Sequence, residues 1–283
     1  MELIPFKSIV KQYNTIFFDA FGVLKNHNGL IPGIERTFEY LEKNDIDYFI
    51  ITNDASRSPE DLADYYQKKG LSNITANKMV SSGMLAREYL KLKVKHGTVA
   101  YLGTEQSAHY LGTSGIKTIS IAELDLEQAE EISALVFMDD EGFDWQKDIN
   151  KALNLLRRVN IPAIVSNTDK TYPVSQQEVA IAAGGIANMV ESISGKSFIR
   201  FGKPDAQMFI FAYEHSVKNG GIADRDKILM VGDTLTTDIL GGNKFGLDTV
   251  LVLTGNTLAK QAEMRINTSG ITPTYICESA AID

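Results

Sequence analysis

Three apolar runs in this chain stop at polar residues whose types could do chemistry. Thr15-Ile16-Phe17-Phe18 runs into Asp19, followed by Ala20-Phe21-Gly22-Val23-Leu24. Asp47-Tyr48-Phe49-Ile50-Ile51 runs into Thr52-Asn53-Asp54. Ile228-Leu229-Met230-Val231 runs into Gly232-Asp233-Thr234-Leu235-Thr236-Thr237-Asp238, and Phe201-Gly202-Lys203-Pro204-Asp205 precedes it. This set suits phosphoryl chemistry. A carboxylate such as Asp19 can attack phosphorus and form an acyl phosphate. A phosphate dianion repels that carboxylate, so the charge must be neutralised. Mg²⁺ prefers hard oxygen ligands, and bound by Asp19 and Asp233 it would do this. The Thr52 hydroxyl, the backbone N–H groups after it and the Lys203 ammonium can hold the other phosphate oxygens. Lys203 also offsets repulsion among the carboxylates. Asp238, five residues after Asp233, suits a role in orienting the metal or its waters. Singly, each residue has an ordinary explanation: Lys203 as a solvated lysine, Asp233 and Asp238 as helix caps. The ordinary explanations do not account for the four segments occurring together.

The elements that must position these residues are short apolar strands alternating with helical stretches. Further strands are expected at Thr98–Leu102, Ala134–Met138, Pro162–Val165 and Thr249–Leu253. A helix should open at Pro32-Gly33 with Ile34, Phe38 and Leu41 on one face, another at Ser58-Pro59-Glu60, and a third should run from Lys78 to Leu92. Continuous apolar strands between helices argue for an α/β fold, a doubly wound parallel sheet covered on both faces. In such sheets ligands bind beyond the carboxyl ends of the strands, where the polar residues fall.

Composition sets the class. The chain has 283 residues, with 44% hydrophobic and 23% charged, which is ordinary for a folded protein. That length suits one large domain or two smaller ones. With 28 Lys+Arg against 36 Asp+Glu the net charge is −8, and no basic run is present. No nucleic acid partner and no membrane partner are expected. The lone cysteine, Cys277, cannot pair within the chain, which favours a reducing compartment, and a cytoplasmic location is expected. The first residues lack a secretory apolar region, and no apolar run approaches bilayer length.

The four segments, in their order, resemble the four motifs of the haloacid dehalogenase-like (HAD) superfamily of aspartate-nucleophile hydrolases. Thr52-Asn53-Asp54-Ala55-Ser56-Arg57-Ser58 and Gly232 to Gly242, continuing to Gly246-Leu247 and Val252-Leu253-Thr254-Gly255, are similar to its branch of NagD-like sugar phosphatases and 4-nitrophenyl phosphatases. The resemblance implies a Rossmann-like core at residues 1–82 and 196–283, with an inserted α/β cap at 83–195. It implies Asp19 and Lys203 as catalytic residues. Mg²⁺ would be held by Asp19, Asp233 and the Phe21 carbonyl, with Asp238 in support. Thr52 and Asn53 would bind the phosphoryl group. The cap segment Ile164 to Pro173 resembles one that faces the active site, so Asn167 and Asp169 are candidates for substrate selection; equally, they could only make a turn. The implied partner is a small phosphorylated substrate such as a sugar phosphate. Proteins of this branch often dimerise through the cap, so a homodimer stays open.

One position departs from the pattern. Phosphatases of the superfamily usually carry a second Asp two residues after the nucleophile, which protonates the leaving oxygen. Here that position is Phe21, which cannot carry a proton. Such help is worth roughly 10²–10⁴ in rate. The resemblance therefore implies a phosphatase weak toward alkyl phosphates and less impaired toward aryl or acyl phosphates. His27, Asp54, Asp139, Asp140 and Asp169 are weaker candidates for a replacement acid. Asp19-Ala20-Phe21-Gly22 also resembles the first motif of metal-independent haloacid dehalogenases, and a catalytically silent phosphate-ligand binder is a third reading. The intact Asp233 to Asp238 segment argues against the first alternative, and the retained nucleophile against the second.

Overall fold

The computed structural model describes residues 2–94, 96–112, 115–175, 178–221 and 223–282. Its strands in chain order are β1 (Thr15–Phe18), β2 (Lys25–Asn26), β3 (Gly29–Leu30), β4 (Asp47–Thr52), β5 (Met79–Ser81), β6 (Thr98–Leu102), β7 (Lys117–Ser120), β8 (Ile132–Phe137), β9 (Ala163–Val165), β10 (Thr171–Pro173), β11 (Val179–Ile181), β12 (Ile199–Arg200), β13 (Ile228–Gly232), β14 (Asp248–Val252) and β15 (Tyr275–Cys277). They divide between two compact units. The first comprises Met1–Thr52, Pro59–Val80 and Lys203–Asp283; the second comprises Asn53–Ser58 and Ser81–Gly202.

The first unit is built on a sheet of order β15-β14-β13-β1-β4-β5. β1 lies parallel between β13 and β4, with Phe18 beside Val231 on one side and Ile50 on the other. Every residue of β1 and β13 is buried, and β4 is buried after its first residue. That is why these strands read as unbroken apolar runs: helices cover both faces. The helix Ile34–Lys43 buries Ile34, Thr37, Phe38 and Leu41, the stripe that a 3.6-residue period places on one side. Phe38 packs at 5.6 Å from Phe18 and 4.8 Å from Tyr48, centroid to centroid. On the opposite face Phe17 meets Phe49 edge-on at 6.2 Å. The register brings the carboxyl ends of β1, β4 and β13 to one edge. Asp19, Thr52 and Asp233 therefore emerge on neighbouring strands.

The second unit holds a parallel sheet of order β12-β9-β8-β6-β7 and an antiparallel hairpin, β10-β11. Its core gathers Leu135 and Phe137 from β8 with Leu155, Leu156, Ile186 and Val190 from the helices Trp145–Arg158 and Ala183–Ser194. Asp144 caps the first of these, accepting from Lys147 N at 2.6 Å.

One expected element differs. The helix foreseen from Lys78 starts only at Ser82, because Met79–Ser81 form β5 at the edge of the first sheet. Met79 and Val80 are fully buried there, and strand pairing outweighs the local helical pattern. Among the described residues no helix is long and apolar enough to cross a membrane.

Candidate active site

The site in the first unit is a carboxylate cluster around one lysine. Asp19 leaves the end of β1, its N–H bonded to Val231 O at 2.8 Å. Its Oδ1 accepts from Ala20 N at 2.7 Å and from Lys203 Nζ at 2.6 Å, and its side chain keeps 14% exposure. Lys203 also reaches Asp238 Oδ1 at 2.7 Å. Asp238 is fully buried, and its Oδ2 accepts from Thr234 N at 3.1 Å. Its Oδ2 is thus hydrogen-bonded, while its Oδ1 faces the ammonium in an ion pair and takes no other hydrogen bond among the described residues. Asp233, also fully buried, accepts from Thr234 Oγ1 at 2.7 Å and from Asn256 N at 2.6 Å. Asp238 lies in a single π-helical turn, Leu235–Ile239, which follows β13 after Asp233 and Thr234.

Glycine makes room for Asp233. A Cβ on Gly22 would fall 2.0 Å from Asp233 Oδ2, and one on Gly255 would fall 1.9 Å from the same atom. Two backbones thus close on one carboxylate at distances no side chain permits. Gly22 also holds a left-handed φ of 82° and donates its N–H to Lys25 O at 2.7 Å. This turn fixes the backbone of Phe21, which is half-buried and bridges to Lys25.

Charge at the cluster is unbalanced. Three carboxylates face one ammonium, and burial strips them of water. Asp19 is pushed well above the usual carboxylate range, by desolvation first and by the Asp238 charge next, with Lys203 pulling the other way. Asp233 rises too, chiefly through burial and then through Asp238. Burial would lower Lys203, but Asp19 and Asp238 outweigh it and raise the ammonium above its ordinary range. One oxygen from each of Asp19, Asp233 and Asp238 lies within 4.8 Å of the others. Hard oxygen donors, a net deficit of positive charge and a carboxylate held between two glycines fit a divalent cation.

Thr52 ends β4, 5% exposed, on the strand beside Asp19. Asn53, Asn167 and Asp169 belong to the second unit and group together there. The Asn53 side chain donates to Asp169 Oδ1 at 2.9 Å and to Thr168 Oγ1 at 3.1 Å. Asn167 Oδ1 accepts from Asp169 N at 2.9 Å, so this side chain makes a turn. His27 is exposed at the tip of the β2–β3 hairpin. Asp139, at the end of β8, is raised to about 6, chiefly by burial; the Asp140 N–H bond opposes this, while Asp140, Asp54 and Glu141 add to it. Sequence reasoning missed Thr234, Asn256 and the Gly22–Gly255 pair. Thr234 lay inside a recognised segment and Asn256 one residue beyond another, but nothing in their types announced contact with Asp233.

The aspartate–lysine cluster thus lies at the carboxyl edge of a parallel sheet. Residues 16–117 match the model for haloacid dehalogenase-like hydrolases, and residues 200–281 match that for HAD-hydrolase-like proteins. A crystal structure from Cytophaga hutchinsonii, described as a possible sugar phosphatase of the HAD superfamily, is 60% identical. It covers 100% of this chain and 99% of its own, with a TM-score of 0.95. Chronophin of Bos taurus is 28% identical over 282 residues, 97% of this chain and 93% of its own. Dihydroxyacetone phosphatase of Corynebacterium glutamicum (strain R) is 28% identical over 264 residues, 93% and 88% of the two chains. The chain belongs to the haloacid dehalogenase-like hydrolases.

Proposed function

We propose that this protein is a Mg²⁺-dependent phosphatase acting on a small phosphorylated metabolite, with a sugar phosphate as the leading class, through an aspartyl-phosphate on Asp19. The observation that carries the reading is the Asp19 carboxylate, partly exposed at a strand end and held through one oxygen by Lys203 and Ala20 N. The relatives named dihydroxyacetone phosphatase and possible sugar phosphatase support it. Residues 83–195 are taken as the cap, with Asn167 and Asp169 in substrate selection. A homodimer through the cap and a cytoplasmic location belong to the same reading.

Asp19, Asp233 and the Phe21 carbonyl would hold the metal. Asp238, ion-paired through Oδ1 with Lys203 and bonded through Oδ2 to Thr234 N, would support the metal and orient Lys203 behind it. When bound, the ion neutralises phosphate charge and polarises the phosphoryl oxygens. A carboxylate oxygen of Asp19 attacks phosphorus. The ester P–O bond breaks, and its electron pair leaves on the alcohol oxygen. Thr52 Oγ1, the Asn53 backbone N–H and Lys203 hold the phosphoryl oxygens during transfer. Water then opens the acyl phosphate, which frees Asp19 and inorganic phosphate. Phe21 has no proton to give, so the leaving group must depart unaided or take its proton from water. Turnover should therefore be slow for alkyl esters and faster for aryl or acyl phosphates.

The test is a panel of phosphate esters with Mg²⁺, alongside 2-chloropropionate. Mg²⁺-dependent phosphate release that stops with EDTA supports the reading. Chloride release that persists in EDTA would replace it with dehalogenation. Failure to release phosphate from any ester, together with no beryllium fluoride adduct on Asp19, would leave only ligand binding.

A further inference from the structure

The chain passes between its two units at 52/53, 58/59, 80/81 and 202/203. Asn53, the first residue of the second unit's segment Asn53–Ser58, is 2% exposed. Ser82 Oγ donates to Asn53 O at 3.0 Å. Gly202 lies so close that a Cβ there would fall 2.6 Å from Asn53 Oδ1 and 3.2 Å from Thr168 Oγ1. The Asn53 amide reaches Asp169 and Thr168, as described above. From the other side the start of the helix Ala183–Ser194 closes on the same loop: a Cβ on Gly184 would meet Thr168 O at 2.5 Å and Asp169 O at 2.6 Å. The loop 167–169 is thus held between a helix start and one buried asparagine.

We infer that the Asn53 side chain is a positioning residue for loop 167–169, and so for substrate selection, while only its backbone serves the phosphoryl group. The functional half of this inference rests on the phosphatase reading; the structural half does not. An amide bonded to a carboxylate makes a charge-assisted pair that a neutral turn lacks. Losing such a bond in a buried setting shifts a local opening equilibrium by roughly tenfold or more. The pair can also be reversed: an aspartate at 53 would repel Asp169, whereas an asparagine at 169 would restore the bond with donor and acceptor exchanged.

The experiment measures amide hydrogen exchange over residues 166–172 in the full chain for Asn53→Asp, Asp169→Asn and the double variant, with KM for a sugar phosphate beside it. Asn53→Asp is expected to speed exchange there by about tenfold or more, with KM rising. The double variant should return exchange to within about twofold of wild type and be no worse in KM than Asp169→Asn alone. Unchanged exchange in Asn53→Asp, or fast exchange that persists in the double variant, overturns the inference. Asn53→Ala, which removes the donors without adding charge, decides the matter if Asn53→Asp does not fold: it must show the same local acceleration. A wild-type chain that turns over no ester would sink the phosphatase reading, and the exchange pattern would still decide this one.

Discussion

Placing a proton donor at position 21 tests the proposed mechanism at the position where the sequence departs from the motif it resembles. The perturbation is Phe21→Asp. Its backbone setting should survive, since the turn is held by Gly22 N to Lys25 O and by Thr254 Oγ1 to Gly22 O rather than by the ring. Phe21 is only half-buried, so losing the ring costs about 1 kcal/mol of packing. The gain is confined to leaving groups that need a proton. General acid help of roughly 10²–10⁴ corresponds to roughly 2.7–5.4 kcal/mol of barrier, and an alkyl ester should recover much of it. A 4-nitrophenyl ester, whose leaving oxygen departs as a stable anion, should gain less than about tenfold. The assay is kcat/KM for glycerol phosphate and for 4-nitrophenyl phosphate, each with saturating Mg²⁺, in the wild type and Phe21→Asp. Equal gains on both substrates, or none on either, would refute the claim that a missing acid limits turnover.

Asp19→Asn should abolish turnover of every ester and the beryllium fluoride adduct; residual wild-type rates would remove covalent catalysis. Gly255→Ala places a methyl against Asp233 Oδ2 and should weaken apparent Mg²⁺ affinity about 10–100-fold in a titration, while the fold persists by circular dichroism. Mg²⁺ should raise the Tm of the wild type at neutral pH, and Asp19→Asn should lose most of that rise. Asp139 carries a folded-state value raised to about 6, so its stabilising effect holds below the ordinary carboxylate range and is lost as pH rises from about 4 through about 6. Asp139→Asn should therefore raise Tm at pH 7 more than at pH 4.5, and an equal change at both would contradict the shift.

What was legible in the sequence follows from periodicity and abrupt polarity. Strands such as Thr15–Phe18 and Ile228–Val231 are buried on both faces, so their apolar runs are unbroken and the polar residue ending each run stands out. The edge strand Met79–Ser81 was not legible, because three residues beside a helical pattern carry no period of their own. Asn53 shows a different limit. Its place next to Thr52 suggested one role, but its side chain bonds Thr168 and Asp169, more than a hundred positions away, and such pairing leaves no local trace. Asn256, 23 positions from Asp233, escaped for the same reason. Gly22 and Gly255 matter through a close approach that only the folded chain creates.

The position of Phe21 bears on which tasks the proposed site divides between backbone and side chain. In the proposed arrangement the metal takes the backbone carbonyl at this position, whereas proton transfer would take the side chain. In that arrangement the two tasks are separable. Gly22 sets the turn through its left-handed φ, Thr254 and Lys25 bond that turn, and none of these contacts depends on the residue 21 side chain. A change there can remove the acid without loosening Asp19, Asp233 or Lys203, whose own contacts run through Ala20, Thr234, Asn256 and Asp238. Here a fully buried lysine pairs with two carboxylates, and two glycines make way for a third. That unbalanced charge makes physical sense if a cation and a phosphoryl group complete it, and a phenyl ring at position 21 is compatible with a leaving group that seldom needs a proton.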